Sequence, residues 1–272
     1  MSVHAIHTVL CAVDDSSHAT AVAFAGAALA DHLGAQLVVA RVDSRMAGAQ
    51  NEQAAAREAM SDFMLTGMPS GLGYRESTDA RVLPGSDPAE AIVREAAQCR
   101  AGLIVMGTRG RGTLARAVLG STARDVLRKA KVPVAIVPPT DPEIATPAGS
   151  RTAPRFGIVL VPVDLVSDAT SQLAVTGLLA SGSAHRPMLL HVTAKGMDAV
   201  LTRERMNPLG LAIPGGRGAK LLVLEGDVAE SIVRVTKKDD IGLVILGRSR
   251  DAAGHIACTV LEHSSAVVVV VP

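Results

Sequence analysis

Short, uninterrupted apolar runs recur along the chain and alternate with segments that have helical spacing. The runs include LIVMG, which ends at Gly107, and VVVVV, which begins at Val267. Strands that are apolar at every position are typical of a parallel sheet covered by helices on both faces. Residues 17–33 place alanine and leucine side chains three and four positions apart and stop at Gly34, which favours a helix ended by a glycine.

Further helices are predicted from their first turns or from an apolar stripe. Asp87 is a suitable N-cap, Pro88 a suitable first helical residue, and Glu90 completes a pattern like a capping box. Asp227 and Glu230 repeat this pattern. The stripe that predicts the last helix of the first half consists of Ala123, Val126, Leu127 and Ala130.

The second half of the chain repeats the first. TVLCAVD at 8–14 matches IVLVPVD at 158–164, and VPVAIVP, which ends at Pro138, matches AVVVVVP, which ends at Pro272. Self-similarity of this kind indicates a duplicated structural unit. Because each copy alternates strands with helices, we predict an α/β protein of two tandem doubly wound domains, each with a five-stranded parallel sheet.

A proline-rich stretch separates the two copies. Residues 140–155 have no apolar periodicity and are predicted to be an extended linker. The domain boundaries that follow are 1–139 for the first domain and 156–272 for the second.

Composition narrows the classes of function. A net charge of +1 provides no basic face for nucleic acid, and three Phe, one Tyr and no Trp leave few rings to stack on bases. No signal peptide or membrane-spanning run is evident. Cys11, Cys99 and Cys258 are too dispersed for a disulfide framework or a zinc cage. We therefore expect a soluble, cytoplasmic protein with buried cysteines, no nucleic acid partner and no membrane insertion.

The segment MGTRGRGTLARAVLGST, at 106–122, carries the strongest chemical signal. Its glycines allow positive φ angles and let bare backbone approach an anion. Ser121 and Thr122 open a helix whose first N–H groups favour phosphate. Arg109 and Arg111 add bidentate donors for a strongly negative ligand. The segment is therefore predicted to bind a polyphosphate.

Purely structural interpretations of these residues stay open. Arg109 and Arg111 also fit solvated charges, Ser121 fits an ordinary N-cap, and Asp14, at a strand end, fits a cap of the first helix. The segment is not a P-loop, because no GK[ST] follows, and its last glycine is too distant for a G-x-G-x-x-G dinucleotide motif.

The full spacing, Gly-x2-Gly-x9-Gly-Ser at 107–121, resembles the ATP-binding pattern of the universal stress protein family. The likeness extends to AVD at 12–14, DPAEAI at 87–92 and VPVAIVPP at 132–139. The chain thus looks like a tandem universal stress protein, and the resemblance implies the adenine-nucleotide α-hydrolase-like fold of that family for both domains.

By this resemblance the first domain would bind ATP, alone or with Mg²⁺, and Asp14 would bind the ribose hydroxyls. The residues implied in lining the base and ribose are Ala12, Val13, Val42, Met106 and Gly107. The residues implied in holding the phosphates are Gly110, Gly120, Ser121 and Thr122. Arg109 and Arg111 are added from their charge alone. Asp14 and Asp15 are candidates for Mg²⁺, although Asp15 equally fits the start of a helical turn.

The second copy departs from the pattern. It keeps Asp164 and Gly247, but Arg250 replaces the second glycine and His255 replaces the serine. The spacing from glycine to glycine also shrinks from thirteen positions to seven, which is too short to wrap a triphosphate. We expect no ATP there, although Arg248, Arg250 and His255 also fit a site for a smaller anion or metabolite.

The last strand of each copy predicts how the copies associate. In the strand order implied by the family, VAIV at 134–137 and VVVVVP at 267–272 are edges, and an exposed run of valines is an aggregation hazard. Pairing the two edges would cover both and make the chain a pseudo-dimer. Further association into a homodimer stays open.

These features lead to one main hypothesis and two alternatives. The main hypothesis is an ATP-binding stress-response regulator with slow hydrolysis at most, because no general base is evident beside the phosphate-binding segment. The first alternative is a scaffold for an unidentified protein partner, with a vestigial nucleotide site. The second is a nucleotidyl transferase, which would need a lysine and histidine pair near the phosphates that the sequence does not show.

Overall fold

The computed structural model describes residues 5–44, 78–108, 119–139, 157–181, 187–215, 218–238, 240–248 and 255–272. The chain divides into two compact units, Ile6–Pro154 and Arg155–Pro272 with Met1–Ala5. The predicted linker at 140–155 lies outside the described residues.

The first unit contains a parallel five-stranded sheet. Its strands are β1 (Thr8–Val13), β2 (Gln36–Asp43), β3 (Thr78–Pro84), β4 (Leu103–Gly107) and β5 (Val134–Val137). Its helices are α1 (Ala19–Leu33), α2 (Pro88–Gln98) and α3 (Ser121–Lys129). The strand order is β3-β2-β1-β4-β5, so the chain winds outward from β1 in both directions.

The predicted α/β fold is confirmed, and strands that are apolar at every position are buried in it. Every residue of β1 and of β5 is buried. α1 packs closely against β1 at Gly26. A Cβ at this position would lie only 2.7 Å from the Cys11 sulfur, so the close approach depends on glycine. Burial raises the pKa of the Cys11 thiol to about 12. Cys99 and Cys258 are only half-buried, so the prediction of buried cysteines is right for Cys11 alone.

The second unit repeats the arrangement. Its strands are β6 (Ile158–Pro162), β7 (Met188–Thr193), β8 (Lys220–Glu225), β9 (Ile241–Gly247) and β10 (Val267–Val271). Its helices are α4 (Thr170–Ala180), α5 (Ala199–Leu211), α6 (Val228–Lys238) and α7 (His255–His263). The sheet is parallel in the order β10-β9-β6-β7-β8, with β6 in the place of β1.

Several helix ends follow the sequence-based predictions. The Asp87 carboxylate accepts hydrogen bonds from the N–H groups of Ala89 and Glu90 at 2.9 and 3.2 Å, and Pro88 is the first residue of α2. Gly34 ends α1 with a left-handed φ of 61°, which glycine adopts without strain.

Two of the structural alternatives are wrong. α1 begins at Ala19 with His18 at its N-cap position, so Asp14 does not cap it. α3 has Gly120 at its N-cap position with a φ of −61°, so Ser121 is not a cap, and Gly120 does not use the positive φ that its residue type allows.

Two further predictions concern the last strand of each unit and membrane insertion. β5 and β10 each lie at the end of the strand order within their own unit, and their mutual pairing stays a prediction. None of the described helices has the length and apolar character needed to span a bilayer.

Candidate functional site

A cavity of about 700 Å³ lies at the carboxyl edge of the first sheet. The predicted site residues that line it are Ala12, Val13, Asp14, Val42, Met106, Gly107, Gly120, Ser121 and Thr122. They come from the ends of β1, β2 and β4 and from the start of α3. The other predicted residues, Arg109, Gly110 and Arg111, lie outside the described residues.

The strand order explains why a crevice forms at this edge. β1 and β4 are paired as far as Ala12 and Met106. Beyond these residues the chain from β1 continues towards β2, and the chain from β4 continues towards β5, on opposite sides of the pair. Such diverging connections leave room for a ligand beyond the strand ends.

Asp14 lines this cavity, and the turn after β1 holds only one of its two carboxylate oxygens. Its Oδ1 accepts the Ser16 N–H at 3.0 Å and the Ser16 hydroxyl at 2.5 Å, which holds the side chain in the turn after β1. Oδ2 has no donor among the described residues. This oxygen therefore retains the capacity to accept hydrogen bonds from ligand hydroxyls.

The N-terminus of α3 supplies donors to the same cavity. The first bond within this helix runs from the Arg124 N–H to the Gly120 carbonyl at 3.0 Å, so the N–H groups of Ser121, Thr122 and Ala123 lack an acceptor within the helix. No described side chain caps this end, and its first turn contains no acidic residue. Arg124 instead lines the cavity there. A cation at the positive end of a helix is unfavourable unless an anion binds nearby.

Thr108 is a cavity residue that the sequence analysis did not single out. It is 4% exposed, and its hydroxyl has no hydrogen-bond partner in the part of the chain that the structure describes. Its carbonyl accepts the Gly120 N–H at 2.8 Å, which ties the end of β4 to the start of α3. A buried hydroxyl without a partner, beside free helical N–H groups, favours a polar ligand. In the sequence, the signal that Thr108 belongs to the site was its position directly after Gly107.

Arg41 is a second residue that the sequence analysis did not assign to the site. Its side chain is 5% exposed, and Nη1 lies 2.9 Å from Asp15 Oδ1. The sequence signal for Arg41 was a charged residue inside the apolar run of β2, because a buried cation needs an anionic partner. The ion pair occupies the Asp15 carboxylate that was a candidate for Mg²⁺. Across the described residues, no group of three His, Cys, Asp or Glu side chains could hold a metal ion.

The equivalent aspartate of the second unit is occupied by hydrogen bonds from its own turn. Asp164 Oδ1 accepts the N–H groups of Val166 and Ser167 at 2.9 and 2.7 Å, and Oδ2 accepts the Ser167 hydroxyl at 2.6 Å. Partial burial raises the pKa of Asp164, but these hydrogen bonds outweigh it and leave the pKa below its usual value.

A glutamine amide lies between the strand ends of the second unit. Gln172 is the counterpart of Val22, which lines the first cavity. Its Nε2 donates to the carbonyls of Pro162 and Ile245, both at 2.8 Å. A Cβ at Gly247 would lie 3.3 Å from the Gln172 Oε1. The space between the ends of β6 and β9 is therefore occupied by protein.

The other predicted residues of the second unit are only partly described. Arg248 and His255 are exposed, and His255 is the first residue of α7, whereas Arg250 lies outside the described residues. A small-anion site at these residues stays a prediction.

Comparison with known sequences identifies the family. The family model of the universal stress proteins matches residues 5–138. A universal stress protein of Thermus aquaticus, described as lying in the QAH/OAS sulfhydrylase 3' region, is 38% identical over 144 residues, which are 48% of this chain and 97% of that protein. The chain belongs to the universal stress protein family.

Solved structures match the fold over the whole chain. A universal stress protein from Archaeoglobus fulgidus aligns with a TM-score of 0.67 at 18% identity, covering 97% of this chain and 95% of that one. A Pseudomonas aeruginosa structure assigned to the same family aligns with a TM-score of 0.66 at 18% identity, covering 100% of this chain and 95% of that one. At this level of identity the likeness concerns the fold alone.

Replacement of Gln172 by leucine is expected to destabilise the protein by about 1–3 kcal/mol, because the carbonyls of Pro162 and Ile245 lose their donor. Urea unfolding followed by circular dichroism measures the change. Gln98→Leu makes the same substitution on the exposed side of α2 and is expected to stay within about 0.5 kcal/mol of the wild type. Equal effects of the two variants would contradict the role assigned to the Gln172 amide.

The depressed pKa of Asp164 predicts a pH dependence of stability. Its contribution is present above the pKa of the unfolded carboxyl, about 3.9, and is lost as the pH falls through the lower folded-state pKa. Asp164→Asn should therefore lower the melting temperature at pH 7, and the difference from wild type should shrink below about pH 4. Thermal melts from pH 3 to pH 7 test this, and a difference that does not change with pH would refute it.

Proposed function

We propose that the first unit binds ATP and that nucleotide occupancy regulates the protein in a stress response. The observation that carries this proposal is that Asp14, whose Oδ2 has no donor among the described residues, lines the same cavity as the start of α3, whose first N–H groups have no acceptor within the helix. An acceptor at one end and several donors at the other are what a ribose linked to phosphates requires. The cavity volume of about 700 Å³ lies in the usual range of small-molecule sites.

The lining residues fit the parts of the nucleotide. In this proposal Asp14 accepts the ribose hydroxyls, and the N–H groups of Ser121 and Thr122 donate to phosphate oxygens. The Thr108 hydroxyl gains an acceptor, and the Arg124 guanidinium neutralises part of the phosphate charge. The apolar side of the cavity, which would face the base, consists of Ala12, Val13, Val22, Ile92 and Met106.

We expect hydrolysis to be slow at most. Fast hydrolysis needs a group that takes a proton from water beside the terminal phosphate. The described side chains of the cavity at the start of α3 are Ser121, Thr122 and Arg124, and none of them is a base at neutral pH. His18 also lines the cavity, but its Nε2–H donates to the Val137 carbonyl at 3.2 Å, which directs this ring nitrogen to the backbone. Binding, with a resulting change of shape or partner, is therefore the proposed activity.

An interaction scaffold is the second candidate function, and one observation favours it. Among the described residues, the large apolar side chains that are strongly exposed all belong to the second unit. They are Val166, Met197, Val200, Leu201, Leu211 and Ile256. Val200, Leu201 and Leu211 belong to one helix, α5, and Met197 lies two residues before its start. Exposed apolar groups that are close together often mark protein contact surfaces. In a tandem protein the second unit would then bind a partner while the first binds nucleotide.

ATP is expected to raise the melting temperature of the wild-type protein, since a ligand that binds the native state stabilises it by about 2.7 kcal/mol at a hundred times its Kd.

Asp14→Asn should reduce the ATP affinity roughly ten- to hundredfold, because it removes a charged acceptor worth about 1.5–3 kcal/mol. Gly120→Glu should abolish binding by adding bulk and negative charge at the phosphate end. Thermal shift with and without ATP measures each effect, and mass spectrometry of denatured protein detects any retained nucleotide.

Asp164→Asn is the matched control, because it makes the same change at the equivalent turn of the second unit. Its melting temperature without ATP should fall, but the increment that ATP adds should equal that of the wild type. An absence of stabilisation by millimolar ATP, or equal nucleotide retention by wild type and Gly120→Glu, would remove the proposal and leave the scaffold function.

A further inference from the structure

The first unit contains a second cavity, of about 630 Å³, between α2 and the C-terminal end of α3. Its floor is apolar and buried, with Ile104 at 0%, Ala130 at 3% and Ala96 at 5% exposure. The half-buried side chains of Val93 and Val132 extend this apolar surface towards the rim. The cavity shares none of its lining residues with the proposed nucleotide site.

The rim of this cavity is strongly basic. Its basic residues are Arg94, Arg100, Lys129 and Lys131, against one acidic residue, Glu90. Lys129 is paired with Asp87 at 3.2 Å. Arg100 and Lys131 have no ion pair among the described residues, so two uncompensated cations stand beside an apolar floor.

The backbone at Arg100 supports a role for its side chain. Arg100 follows α2 with a φ of 52°, in the left-handed region that glycine or asparagine usually occupies at a helix end. A long side chain is strained there, whereas a glycine would not be. Helix dipoles alone favour cations at these ends, but they explain neither the choice of arginine at this strained position nor the open apolar space.

The second unit serves as an internal comparison. The counterparts of Arg100 and Lys131 are Asp240 and Ser265. The Ser265 hydroxyl donates to the Thr236 carbonyl at 3.3 Å, which joins the turn after α7 to α6. In the second unit the helices therefore end without these two cations, and a hydrogen bond from Ser265 joins the turn after α7 to α6 at the equivalent position.

We propose that the second cavity of the first unit binds a small amphiphilic anion, an apolar chain or ring that carries a phosphate or carboxylate head. The apolar part lies against the half-buried side chains of Val93 and Val132, above the buried Ile104. The head lies between Arg100 and Lys131. Charge complementarity selects an anionic head, and the apolar floor selects against small hydrophilic anions. This site is independent of ATP binding in the other cavity.

Decyl phosphate, below its micellar concentration, is the probe, and isothermal titration calorimetry on the full chain measures its affinity. Decyl maltoside tests the chain without the charge, and inorganic phosphate tests the charge without the chain. We expect decyl phosphate to bind one-to-one and both comparison compounds to bind at least about tenfold more weakly. In methyl NMR spectra the Ile104 signal should shift with decyl phosphate, whereas the Ile92 signal, from the other cavity, should shift with ATP.

The double variant Arg100→Asp with Lys131→Ser gives the first cavity the residues of the second unit. It should weaken decyl phosphate binding at least about tenfold. Aspartate tolerates a positive φ better than most residues, so the fold should be retained, which circular dichroism checks. The control, Arg203→Asp with Lys195→Ser, makes the same charge change at exposed positions of the second unit and should leave the affinity unchanged.

Each alternative result overturns the proposal. Equal binding of decyl maltoside would reduce the cavity to an apolar patch, and equal binding of inorganic phosphate would reduce it to a cluster of cations. Undiminished affinity in the double variant, or an unshifted Ile104 signal, would place the probe elsewhere. Stabilisation by ATP should be the same in the double variant as in the wild type, so failure of this proposal is distinguishable from failure of the proposed nucleotide site.

Discussion

The parallel pairing of β1 with β4 is the interaction on which the rest of the first unit depends. β1 is hydrogen-bonded to β2 on its other side, and β4 is hydrogen-bonded to β5, so the connections that leave the carboxyl ends of β1 and β4 diverge. The crevice at that edge is therefore a product of strand order and not of any polar residue. Polar groups gather there because the chain turns from strand to helix at this edge, with Asp14 after β1 and Thr108 after β4.

The second unit shows that this topology does not by itself preserve a site. Its counterpart of Ala12 is Pro162, which has no N–H to donate. The pairing of β6 with β9 ends at Leu160, two positions earlier than the equivalent pairing in the first unit. The carbonyls left at the strand ends are satisfied by the Gln172 amide, which also fills the space. The second unit thus keeps the sheet while the Gln172 side chain lies between the ends of β6 and β9.

Features that rest on neighbouring residues could be predicted from the sequence, whereas features that rest on distant ones could not. Buried apolar strands, the Asp87 cap and the Gly34 end of α1 are each encoded within a few positions. The Gln172 amide meets carbonyls of two strands that are adjacent only in space, so its role was invisible. α5 was missed because Val200 and Leu201 are exposed while Met206 is buried, which leaves no single apolar stripe. The basic cavity was missed because its residues come from α2 and the turn after it, from β4, and from the end of α3 and the turn that follows, which are distant in the sequence.

The N-terminal turns of α2 and α3 line the same cavity, the proposed nucleotide site, but they differ in capping and charge. α2 has the Asp87 cap and an acidic residue, Glu90, in its first turn, whereas α3 has neither and carries Arg124 instead. A side-chain cap and an acidic residue therefore stabilise the N-terminus of α2, and both are absent from the N-terminus of α3. An anion bound there would satisfy the free N–H groups and offset the charge of Arg124. In the proposed function the stability of α3 would then increase with ligand occupancy. Nucleotide concentration would thereby control the conformational stability of one helix.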